Sequence, residues 1–213
     1  MAEPVTLDAL DLAALLCSRV CHDLISPAGA IVNGLEVLED AGSDAETKEF
    51  ALDLIKKSAR TASARLQFCR LAFGAAGSAG AQIDLGDAET MARGFLEDDK
   101  TKLTWTLPRA FLPKNRVKLL LNMLVVAQQS IPRGGVMTVS PIGEGETMSF
   151  RIASEGLNAR VPHAAPPLLA GTSESGTIDA HGIQPYYTGL LARACDLTVT
   201  VTAEDAVIVV AAQ

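Results

Sequence analysis

The sequence predicts a helical hairpin followed by an α+β sandwich, on three observations. Apolar residues recur at helical spacing from about Thr6 to Phe73, with one turn in between. A run of small flexible residues, GAAGSAG at Gly74–Gly80, carries no such periodicity and reads as a linker. Beyond it, apolar and polar residues alternate in short strand-like stretches separated by helical ones. These place a hairpin unit at residues 1–76 and a sandwich unit at 81–213.

The first helix extends from about Thr6 to Asp40, where Pro27 and two glycines are the only weak points before Gly42. Ser43–Glu46, SDAE, has the S-x-x-E spacing of a capping box and opens the second helix. That helix runs to about Phe73, with Phe50, Leu54, Ala62, Leu66, Cys69 and Phe73 on repeats of three and four. The short turn at Ala41–Gly42 makes the pair antiparallel, and a two-helix hairpin cannot hide an apolar stripe alone. Pairing with a second copy into a four-helix bundle is therefore expected.

In the second unit QIDL and KLTWTL read as strands around a helix at Asp87–Asp98, and a long helix follows from Lys114 to about Ser130. VMTVSPIGEGETMSFRIAS is a hairpin turning at Gly143–Gly145. A proline-rich loop, a helix near Pro185–Ala194 and a closing hairpin, LTVTVTAEDAVIVVAA, complete the chain. Helices on one face of a mostly antiparallel sheet are the expected arrangement.

Composition narrows the function classes. The chain has 213 residues, 48% of them hydrophobic but only 4% aromatic, so its cores are aliphatic. A net charge of −7 argues against nucleic acid or an anionic membrane as the main partner, since both call for clustered cations. Proteins are the expected partners. The longest apolar stretch, about Val117 to Ala127, is interrupted by Lys118 and Asn122 and falls short of the ~20 residues that span a bilayer. Four cysteines without C-x-x-C spacing and no secretory leader point to a reducing, cytoplasmic compartment.

His22 is the residue that asks for a chemical explanation. Winding the first helix at ~100° per residue puts Asp8, Asp11, Ser18, Arg19, Ser26, Gly29, Asn33 and Glu36 on its side, with Leu15 and Ile25 as apolar intruders. Ala13, Leu16, Val20, Leu24, Ile31, Leu35 and Leu38 collect opposite. An exposed neutral imidazole, reference pKa ~6.5, is a competent nucleophile towards phosphorus. Ser18, Ser26 and Gly29 leave room for a partner to descend on it, and Arg19 can meet phosphoryl oxygens. Cys17 and Cys21 stand four apart, but winding turns Cys17 towards the apolar face and no fourth ligand is evident, so a metal site is not expected. His163 and His181 fall in loops and read as surface residues.

The stretch His22-Asp23-Leu24-Ile25-Ser26-Pro27 resembles the H-box of sensor histidine kinases, and its place on the first helix of a hairpin ahead of an α+β unit matches their dimerisation and phosphotransfer region. By that resemblance Asp23 is a candidate orienting or basic group for His22. Adjacent helical residues do not face each other, so a solvated carboxylate stays an equal reading. Leu119–Gly135 resembles the N-box helix of the family's ATPase (GHKL-like) domain. Asn122 matches the first of two asparagines, while Val126 replaces the second, and an isopropyl group cannot hold magnesium. Ser154 stands for the aspartate that reads adenine, with Gly156 kept, and HGIQPYYTGL replaces the glycine-rich lid, so that Tyr186 and Tyr187 are expected in the phosphate's space.

A retained histidine beside a degenerate ATPase unit resembles the dimeric histidine phosphotransferases of alphaproteobacterial cell-cycle phosphorelays, over nearly the whole chain. The resemblance implies a homodimer in which His22 takes a phosphoryl group from the receiver domain of a hybrid histidine kinase and passes it to response-regulator receivers. It implies no cofactor bound by this chain, with magnesium arriving on the receiver. Leu15, Ser18, Arg19, Ser26 and Gly29 would form the receiver-binding surface. The competing expectations are an ATP-dependent histidine kinase and a non-catalytic dimeric adaptor.

Overall fold

The computed structural model describes residues 3–74 and 80–213. The core of the expected linker, residues 75–79, lies outside the described residues. Two long helices come first, α1 at Ala9–Glu39 and α2 at Ala45–Ala72, preceded by a two-residue strand β1, Glu3–Pro4. Asp8 caps α1, its carboxylate accepting from the backbone N–H groups of Leu10 and Asp11 at 2.8 Å each. The α2 cap differs from the expected capping box. Asp44, one residue after Ser43, accepts from Thr47 N at 2.8 Å, while the Ser43 hydroxyl turns back to Asp40. The carboxylate wins because it brings negative charge to the positive end of the helix.

Strands β3 (Thr101–Trp105), β5 (Gly135–Ile142), β6 (Ser149–Glu155), β9 (Val207–Ala212) and β8 (Val199–Glu204) form one sheet in that order. Among the described residues only β3 and β5 pair in parallel, and the helix that carries the chain across between them is α4, Lys114–Gln129. A second pair, β2 (Gln82–Asp84) with β4 (Phe111–Pro113), brackets α3, Leu85–Leu96. The short helix α5 (Ala165–Leu169), strand β7 (Thr172–Ser173) and helix α6 (Ile183–Arg193) lie between β6 and β8. The segment read as a proline-rich loop thus contains α5, which has proline at its first positions, where a missing N–H costs nothing.

Every residue of α4 from Val117 to Ala127 is buried, so this stretch is the central core helix of the sandwich. Its neighbours across the sheet include Met137, Val139, Phe150, Ile152 and Val210. The end of α2 belongs to the same core. Phe68, Leu71 and Ala72 are buried in it, and the Phe68 ring stacks on Phe95 of α3 with centroids 4.0 Å apart.

α1 behaves differently from α4. It is the helix among the described residues that is long and apolar enough, by length and composition, to cross a membrane, and only 6% of that window is buried. The hydropathy reading that singled out Val117–Ala127 passed over it, because its apolar residues are spread along the helix instead of contiguous. Pro27 and Gly34 mark its contact with α2 and are its buried residues; a Cβ at Gly34 would stand 2.6 Å from Ile55 Cγ1. Cys17, expected towards the apolar face, and Cys21 are both exposed in the single chain. Leu10, Cys17, Cys21, Val32 and Leu35 lie within about 60° of one another on the wheel and form an uncovered stripe. Cys69 is the buried thiol, and burial pushes it up to about 11.

Residues 3–7 tie α1 to the far end of the chain. β1 pairs antiparallel with β7, Glu3 opposite Ser173, and Val5 N donates to Gly171 O at 2.9 Å. Leu7, Leu12, Leu15 and Leu16 then pack on a small apolar cluster of Leu168, Ile183 and Tyr186.

Candidate functional site

His22 sits midway along α1 with its side chain 77% exposed. Its Nδ1 lies 3.6 Å from Asp23 Oδ1, outside hydrogen-bond range but close enough for charge to be felt. This contact is nearer than helical spacing alone suggests. The reason is Arg19, one turn earlier, whose Nε donates to Asp23 Oδ2 at 3.1 Å and draws the carboxylate back past the imidazole. Asp23 is only 13% exposed, so it is held and not freely solvated. With Nδ1 turned to the carboxylate, Nε2 is the outward nitrogen.

Pro27 completes this arrangement. Lacking an N–H, it leaves the carbonyl of Asp23, four residues earlier, without its helical partner. The Arg65 guanidinium of α2 donates to that carbonyl. Proline in the H-box-like motif therefore opens a backbone acceptor that the second helix fills, which clamps α2 to the turn carrying His22. Sequence reading did not find Arg65; the pairing of a freed i−4 carbonyl with a cation on the facing helix was its only signal. Arg65→Ala is expected to cost about 1 to 2 kcal/mol of stability. In a Pro27→Ala background, where residue 27 regains its N–H, the same change should cost clearly less. Chemical denaturation of the four proteins of this cycle measures the coupling.

The other expected contact residues divide. Ser18, Ser26 and Gly29 are exposed, and a Cβ at Gly29 would meet nothing within 4 Å. Arg19 is mostly covered, 18% exposed, with its Nε committed to Asp23, so it acts first on the carboxylate. Leu15 departs from expectation: it packs, half-buried, on the cluster of Leu168, Ile183 and Tyr186, which wins because it offers an apolar neighbour on the same side. Ile25, by contrast, is 70% exposed beside the histidine.

His181, read from the sequence as an unpartnered loop residue, lies next to His22. The ring centroids are 6.5 Å apart and the planes meet at 75°, an edge-on contact. His181 and His163 line a single cleft of about 610 Å³ with Asp179, Ser175 and Gln129. Among the described residues no group of three or more His, Cys, Asp or Glu could hold a metal ion.

The nucleotide site that the resembled ATPase domains build against this central helix does not fit the residues present. Asn122 is fully buried and its side chain is committed: Nδ2 donates to Ala72 O at 3.0 Å and to Lys118 O at 2.8 Å. Its Oδ1 accepts from Gln184 Nε2 at 2.8 Å. The asparagine thus caps the end of α2 and ties α6 to α4, with its amide oxygen turned to Gln184. Val126 is fully buried in the core, and Ser154, at the adenine-reading position, is buried with an unpartnered hydroxyl. What occupies the lid region also differs from expectation. Tyr186 turns away to the N-terminus, its hydroxyl within 3.3 Å of Leu7 N and 3.4 Å of Val5 O, and Tyr187 packs on Phe73. Gln184, not either tyrosine, closes on the asparagine.

Comparison with known proteins agrees with the helical hairpin and mixed sheet. Residues 85–207 match the family described as the histidine phosphotransferase C-terminal domain. Protein phosphotransferase ChpT of Brucella abortus (strain 2308) is 54% identical over 209 residues, covering 97% of this chain and 98% of that one. A solved structure described as a bacterial phosphotransferase, 51% identical, superposes with a TM-score of 0.88 and covers 99% of both chains. On these matches the chain belongs to the histidine phosphotransferase family.

Proposed function

We propose that the chain relays a phosphoryl group between receiver-domain aspartates, through Nε2 of His22 and without ATP. The observation that carries the reading is an imidazole 77% exposed with Nδ1 beside a held carboxylate. In the step, the Nε2 lone pair forms the P–N bond as the P–O bond to the receiver's aspartate breaks, releasing that aspartate as carboxylate. The proton stays on Nδ1, the ring becomes cationic, and Asp23 at 3.6 Å stabilises that charge. The reverse step onto a second receiver needs the same groups. Magnesium is supplied by the receiver's acidic pocket, since no cluster of ligands among the described residues of this chain could hold it. The donor is the receiver of a hybrid histidine kinase and the acceptors are response-regulator receivers, in the cytoplasm.

The working unit is a homodimer, with a second copy of this chain covering the stripe of Leu10, Val32 and Leu35 on α1 and the exposed Leu52 and Leu66 on α2. Two hairpins then make a four-helix bundle with His22 on its outer polar face. The test is transfer itself: the pure protein, mixed with a receiver carrying acyl phosphate, should gain an acid-labile label on His22. Label arising from ATP alone would support a kinase, and no label from either source would leave an adaptor. Because Asn122 and Val126 offer no magnesium contact, calorimetry with magnesium and ATP should give no saturable heat up to about 1 mM. Micromolar affinity would overturn that part of the reading.

A further inference from the structure

The sandwich unit has no nucleotide to deliver, yet it packs on α1 beside the phosphoacceptor. What it brings there is an imidazole. His181 heads the turn before α6, and its position is fixed on both sides. The Asp179 carboxylate accepts from the N–H groups of His181 at 3.0 Å and Gly182 at 2.7 Å, and Ile183 N donates to Asp179 O at 3.0 Å. Immediately after, Ile183 and Tyr186 enter the apolar cluster with Leu12, Leu15 and Leu16 of α1, the turns just ahead of His22. Leu7 N donates to Tyr186 Oη, and β1 pairs with β7, so the first residues of the chain strap the loop's surroundings to the hairpin.

We propose that His181 is a positioning residue for His22. The two rings stand edge-on at 6.5 Å and 75°, within the 4.5–7 Å range of favourable T-shaped pairs. On a side chain otherwise exposed, this contact limits the imidazole to orientations that keep Nδ1 towards Asp23 and Nε2 outward. A phosphoryl group arriving on a receiver must meet that nitrogen in line, so narrowing the ring's freedom raises the rate at saturation and leaves docking unaffected. The degenerate unit thereby keeps an active part in transfer: it presents a ring to the histidine where a kinase presents a nucleotide. This inference rests on His22 being the phosphoacceptor.

The experiment uses the full-length protein with His181→Ala and His181→Phe. Single-turnover transfer from a phosphorylated receiver, titrated over receiver concentration, separates rate from docking, and NMR of the free protein reads the His22 ring resonances without any transfer. His181→Ala should lower the saturating rate on the order of five-fold with half-saturation unchanged, and should move the His22 ring signals as the neighbour's ring current is lost. His181→Phe should restore most of the rate, because it keeps an aromatic ring and no titrating group. Unchanged rate and signals in His181→Ala would overturn the proposal, as would a change in half-saturation alone or failure of phenylalanine to rescue. Label persisting in a His22→Ala protein would instead overturn the phosphoacceptor assignment on which it rests.

Discussion

Replacing His22 with alanine is expected to remove transfer completely, leaving no acid-labile label above background with any phosphorylated receiver. The loss is total because the nucleophile itself is gone, and Asp23 beside it can stabilise charge but offers no nitrogen. The fold should be untouched. The ring is 77% exposed on a helix, and alanine favours helix at least as well as histidine, so the melting temperature and dimer mass should match those of the parent. Gly29→Trp gives the opposite pairing of effects. Nothing lies within 4 Å of where its Cβ would stand, and losing a mid-helix glycine should stabilise α1 by up to about 1 kcal/mol. The bulky ring one to two turns beyond His22 should nevertheless obstruct the receiver, so this variant becomes more stable and a poorer acceptor. Transfer assays alongside thermal melts separate the two; an unimpaired Gly29→Trp would remove Gly29 from the docking surface.

The second large effect is on assembly. Val32→Glu combined with Leu35→Glu should convert a particle of twice the 22.3 kDa chain mass into one of that mass at micromolar concentration. Both side chains are about half exposed in the single chain, so their charges meet water there and the hairpin stays folded. In the bundle the same carboxylates would be buried without partners, at several kcal/mol each, doubled by symmetry. Light scattering reads the mass and circular dichroism the helix content. A double variant that stayed dimeric would place the interface elsewhere.

The hairpin and the main strands along the chain were legible because each rests on local chemistry: period-3.6 apolar spacing in α1 and α2, alternation in β3 and β8, a short apolar run in β9, and turn residues at Gly143–Gly145. The exposure of His22 was legible for a similar reason, as a polar face follows from neighbours along one helix. The residues that escaped are those whose role depends on contacts across the chain. Arg65 has meaning only once Pro27 has freed a carbonyl facing it, and His181 only once α6 docks on α1. The packing of Leu15 went unforeseen for the same cause, since the cluster it packs on is assembled from residues beyond position 160. The departures at Val126 and Ser154 from the resembled nucleotide site were visible, but the glutamine that donates to the asparagine's oxygen was not, because the large tyrosines stand out in the sequence while a hydrogen bond decides the packing.

The strap at the N-terminus also sets an order of events during synthesis. Leu7 and Tyr186, joined by a hydrogen bond, are 179 residues apart, and β1 finds its strand partner only at Thr172–Ser173. α1 and α2 leave the ribosome early and can fold on each other while most of the chain is still unmade, since their contacts are close in sequence. His22 therefore stands on a formed hairpin before its neighbouring imidazole has been translated, and the residues ahead of α1 find their places only once the segment from Thr172 to Tyr186 has emerged.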